Sequence, residues 1–94
     1  MPYIKPEDRK KLDCVIETVY AAETPGELNY VITRLVHEYI EYKGLKYINI
    51  NEVIGVLECA KLELYRMVAA PYENQKMLQN GRISKLDATV MTDG

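Results

Sequence analysis

Apolar side chains recur at the spacing of one helix face along three stretches of the chain. In the first, Leu12, Val15, Ile16, Val19 and Tyr20 follow the pattern. Pro6 suits its opening position, where a missing amide donor costs nothing. In the second, Thr24-Pro25-Gly26-Glu27 is a capping box with proline at N1. Leu28, Val31, Ile32, Leu35, Val36, Tyr39 and Ile40 then form a broad apolar arc, and Gly44 can adopt the left-handed backbone that ends a helix. The third opens on a similar box, Asn49-Ile50-Asn51-Glu52, with Ile48 and Val53 placed as a hydrophobic staple. Val53, Ile54, Leu57, Ala60, Leu64, Tyr65 and Val68 carry its stripe.

Pro71 interrupts this third run. It has no amide donor, its ring clashes with the carbonyl four residues back, and it drives Ala70 away from helical geometry, so a break is expected there. A short helix from Pro71 to Gln79 can restart and stop at Gly81. Beyond Arg82, Ile83, Leu86 and Val90 fit a small helical face, a strand or no element. The expected fold is all-α: a small bundle of three main helices plus a short proline-broken C-terminal helix. Residues 1–81 form one helical domain and residues 82–94 a tail.

Composition agrees with one small domain. Of 94 residues, 48 % are hydrophobic and 28 % charged, too apolar for a disordered chain. Phe and Trp are absent while tyrosine occurs eight times, a residue suited to half-buried positions and interfaces. A net charge of −2 argues against broad nucleic-acid binding, which needs a concentrated basic surface. No apolar run reaches the roughly 20 residues of a membrane span. Met1-Pro2-Tyr3-Ile4-Lys5 lacks the apolar core of a signal peptide, and Cys14 and Cys59 fit free thiols, so a cytoplasmic location is expected. Two separated cysteines and one histidine make no zinc site, and no metal or cofactor is expected.

Several polar residues sit against the pattern. Lys61 falls inside the apolar arc of the third helix, flanked by Glu58 and Tyr65 one turn away, and Asn29 falls between Val36 and Ile40 on the second. Burying an unpaired ammonium is costly, so Lys61 must snorkel, pair with Glu58 or meet an anion. Asn29 has two readings, a structural hydrogen bond or a ligand contact. Around Pro71, Arg66, Tyr72 and Lys76 form either a candidate phosphate or carboxylate site or an ordinary charged surface. His37 lies on the polar face of the second helix, with no serine or cysteine nucleophile matched to it. Glu38 and Glu41 form an ExxE pair, followed by Glu58 and Glu63. Small helical nucleotide pyrophosphohydrolases use such acids to hold magnesium, but Glu58 and Glu63 are five apart and do not share a helix face.

The strings TPGELNYVITRL (Thr24–Leu35), INEVIGVLECAKLELYR (Ile50–Arg66) and APYENQKMLQNG (Ala70–Gly81), with the opening MPYIKPEDR, resemble a family of short uncharacterised proteins from phage and prokaryotic genomes. The resemblance covers residues 1–81 and brings no activity with it; a phage origin is compatible with sequestering a host nucleotide signal. The sequence thus points to a non-enzymatic, self-associating helical protein, a dimer by default. It would bind an anionic small molecule such as a nucleotide through Asn29, Lys61, Tyr65, Arg66, Tyr72 and Lys76. The alternatives are a structural or protein-interaction module without a ligand and a magnesium-dependent nucleotide pyrophosphohydrolase.

Overall fold

A computed structural model describes residues 2–90, and every structured element in that range is helical. The order is α1 (Pro6–Lys10), α2 (Asp13–Glu17), a 3-10 turn (Thr18–Ala21), α3 (Pro25–Lys43), α4 (Tyr47–Leu64), a π-helical turn (Tyr65–Ala69), α5 (Ala70–Asn80) and α6 (Lys85–Val90). The chain divides between Ala60 and Lys61 into two units. No helix among the described residues is long and apolar enough to cross a membrane.

The first expected helix is instead three short pieces. Leu12 donates to the Arg9 carbonyl and Val15 to the Leu12 carbonyl, both three residues back, which interrupts the α register. The Thr18 hydroxyl then bonds the Val15 carbonyl at 2.6 Å. Val15, Ile16, Thr18 and Val19 are all β-branched, so they contribute little helix propensity to hold the run together.

α3 forms as its capping box requires. The Glu27 amide donates to Thr24 Oγ1 at 3.1 Å, while Glu27 Oε1 accepts from the Thr24 and Glu23 amides at 3.2 and 2.8 Å. Gly44 ends the helix with φ +117°, its amide bonded to the Ile40 carbonyl at 2.7 Å. That backbone position is open essentially to glycine alone.

α4 begins two residues ahead of the expected cap. Asn49 lies inside the helix, and its Nδ2 donates to the Gly44 carbonyl at 2.8 Å, so this side chain fastens the α3–α4 turn rather than capping α4. A larger difference appears at Pro71, where the helix does not break. The chain widens into the π turn, in which the Ala70 amide reaches back five residues to the Tyr65 carbonyl. Ala70 itself stays helical at φ −64°, ψ −46°. A π turn shifts the hydrogen-bond register by one residue, which takes the ring off the carbonyl it would otherwise strike. α5 ends at Asn80, with Gly81 at φ +92° and bonded to Met77.

In the tail, Lys85–Val90 is helical. Ser84 and Asp87 supply its start: Asp87 carboxylate oxygens accept from the Ile83 and Ser84 amides at 2.9 and 3.3 Å, and Ser84 Oγ accepts from Leu86 at 3.2 Å. The Ser84 hydroxyl takes the Leu86 amide rather than that of Asp87, so this is an N-cap with a returning Asp87 carboxylate rather than the full reciprocal box of α3.

The helices bury very little. Val53, 6 % exposed, is the only buried residue among those described. Ile32, Leu35, Tyr39, Ile48, Ile54 and Val56 all remain exposed. α4 carries apolar residues around most of its circumference, a composition that belongs to a helix covered on all sides.

Candidate functional site

In the first unit, α3 and α4 enclose a cleft of about 330 Å³. Leu35, Val36 and Tyr39 form one wall, Val53 and Val56 the other, and Glu52 is its only charged residue. Next to it on α3 lie two side-chain clusters. Lys43 Nζ sits over the Tyr39 and Tyr42 rings, 5.8 and 5.3 Å from their centroids. Arg34 donates to Tyr30 Oη at 3.1 Å and to Glu38 Oε1 at 3.0 Å. The Glu38 hydrogen bond, and then that of Tyr30, holds the Arg34 pKa above its ordinary value.

Asn29 is exposed on α3, where its Oδ1 accepts from the Thr33 hydroxyl at 3.0 Å. It lines an open hollow with Pro25, Gly26, Tyr30 and Thr33. The sequence places Asn29 inside an apolar arc, but in the chain that part of the arc faces outward, so the amide has no burial to compensate. Glu38, one of the two ExxE carboxylates, is held by Arg34. His37 lies with Ile40, Glu41, Leu45 and Ile50 along a second hollow. No group of three His, Cys, Asp or Glu side chains among the described residues could hold a metal ion.

The second unit holds the remaining candidate residues. Lys61 is exposed and already engaged. Tyr65 is the first residue of the π turn and exposed. Arg66 Nη2 donates to both carboxylate oxygens of Glu63 at 3.1 Å each. Lys76 Nζ lies 5.6 Å from the centroid of the Tyr72 ring. Of the five predicted residues in this unit, the structure therefore joins Tyr72 to Lys76 and commits Arg66 to a carboxylate. Lys76 also lines a cleft of about 340 Å³ with Glu73, Asn74, Met77, Gly81, Ile83 and Asp87, in which acidic side chains outnumber the one lysine.

Residues 1–83 match a family described as a domain of unknown function, DUF6899. The chain belongs to the DUF6899 family. The match takes in both sides of the α3–α4 cleft and the whole of α5, and it ends just ahead of α6. No curated protein and no solved structure is significantly similar to this DUF6899 chain.

The feature that reading the sequence for ligand chemistry passed over is the α3–α4 cleft. Its signal lies in the spacing of α3: Leu28, Ile32, Leu35, Tyr39 and Tyr42 recur at alternating intervals of four and three. That is heptad spacing set within the broad helical arc.

Proposed function

We propose that this DUF6899 protein is a non-enzymatic helical assembly module that completes its hydrophobic core with a second copy of itself. The supporting observation is the apolar surface left exposed on α3. Val53 is the only buried residue among those described, and on α3 Leu28, Ile32, Leu35, Tyr39 and Tyr42 are 42 % to 82 % exposed. An apolar face of this kind is what the interface of an obligate homodimer, which resembles a domain core cut in half, covers. A second copy suits the surface because the net charge is only −2 and both signs occur along α3, so like chains repel one another weakly.

Capture of a nucleotide or other anion through Lys61, Tyr65, Arg66, Tyr72 and Lys76 has weaker support. Glu63 already occupies the Arg66 guanidinium, and Lys76 lies over Tyr72. Assembly accounts for the apolar surface of every long helix, and anion binding accounts for none of it.

Light scattering after size-exclusion chromatography, over a hundredfold range of protein concentration, tests the proposal. The expected result is a mass of two or more chains, with a melting temperature that rises with concentration. A cooperatively folded monomer at every concentration refutes it.

A further inference from the structure

We infer that α3 is the seam of a symmetric, parallel two-stranded coiled coil between two copies of the chain; this rests on the self-association proposed above and specifies its geometry. Leu28, Leu35 and Tyr42 take the d positions of a heptad, and Ile32 and Tyr39 take the a positions. All five are exposed in the single chain, from 42 % at Leu28 to 82 % at Tyr42, although they line up on one stripe of a 19-residue capped helix.

Three observations select the parallel dimer over other occupants. β-Branched Ile32 at a, between leucines at d, is the arrangement that favours two parallel strands. Glu38 falls at g and Lys43 at e, five residues later, the spacing at which g of one strand meets e of its parallel partner; in the single chain Glu38 bonds Arg34 and Lys43 lies over Tyr39 and Tyr42, so the inter-strand pair forms by exchanging these exposed contacts. Two-fold symmetry makes that pair twice, and both side chains lie on the exposed flanks of the stripe. Finally, the hole that receives a d-position knob is formed by the facing a, d, e and a residues. For the partner's Leu35 these are Ile32, Leu35, Val36 and Tyr39, and the last three already form the α3 wall of the 330 Å³ cleft. Val53 and Val56 of α4 close its far side, with Glu52 beside them, so the knob enters a mostly apolar pocket.

Site-specific cross-linking in the 94-residue chain, with C14S and C59S removing the native thiols, tests the geometry. In a parallel seam each d position faces its own copy. L28C alone and Y42C alone should therefore each give covalent dimer under mild oxidation, while T33C, on the opposite flank of α3, should not. Dimer formed only when L28C protein is mixed with Y42C protein means an antiparallel seam and overturns the inference. Equal cross-linking of T33C overturns it too, because the thiols are then meeting at random. If wild type associates by light scattering but neither L28C nor Y42C cross-links, the inference fails and self-association stands. A monomeric wild type removes both. The charge pair gives a second reading that needs no new thiol: K43E should weaken dimerisation by about three- to tenfold, and E38K/K43E should return it to within about twofold of wild type. A double variant no tighter than K43E counts against the parallel register.

Discussion

Gly55 offers a sharp test of which surfaces are free. It sits inside α4, its φ is not positive, and a Cβ built on it meets nothing within 4 Å. Glycine in a helix interior costs about 1 kcal/mol relative to alanine, mainly because the unfolded chain gains backbone freedom. With no steric penalty to set against that gain, Gly55→Ala should stabilise the protein by about 1 kcal/mol, a rise of roughly 4–8 °C in melting temperature for a domain of this size. Thermal melts followed by circular dichroism, at one fixed chain concentration for both proteins, measure it. The concentration must match because the proposed association would contribute to the apparent stability. A drop in melting temperature refutes the reasoning, since it means that something approaches the Gly55 backbone in solution.

Thr24→Ala removes the acceptor for the Glu27 amide and half of the α3 capping box, so it should cost about 1 kcal/mol in the same melt; no change means that α3 is held by its seam rather than by its cap. Pro71→Ala restores an amide donor and removes the ring that the π turn accommodates. Proline inside a helix costs up to about 3 kcal/mol relative to alanine, and the π register has relieved part of this, so a gain of about 1–2 kcal/mol in urea unfolding is expected. A loss there means that the π turn serves packing that an α register would disrupt.

The all-helical class and the bounds of α3 were legible in the sequence because they depend on local chemistry. Thr24, Glu27 and Gly44 each act within one turn of the helix end that they define. The start of α4 was misplaced because Asn49 fits two local roles, a cap acceptor or a donor across the turn, and the Gly44 carbonyl selects the second. Pro71 was read as a break because its two penalties belong to the α register; the sequence does not show that the chain can change register for five residues. The Ser84–Asp87 cap that starts α6 was readable by the same rule as Thr24–Glu27, but the surrounding apolar pattern is too short to draw attention to it.

The candidate site was harder to read for a different reason. Treating Lys61 and Asn29 as misplaced assumed that any apolar arc is buried within its own chain. Under that assumption a polar residue inside the arc needs a partner, and a ligand is one way to supply it. The structure leaves both residues at the surface, so their positions alone imply no compensating group. What needs an explanation is the apolar arc itself. Leu28, Ile32, Leu35 and Tyr39 have an energetic reason to leave water, about 25 cal/mol for each Å² covered, and within the first unit they are only about half covered, with α4 on one side of Leu35 and Tyr39. The polar residues on α3 then take on a different meaning. Glu38 and Lys43 border the stripe at the spacing that selects one partner orientation, while Asn29 and Thr33 bond to each other without drawing on a second chain. If the proposed assembly forms, the apolar stripe of α3 drives it and the charged flanks of the same helix direct it.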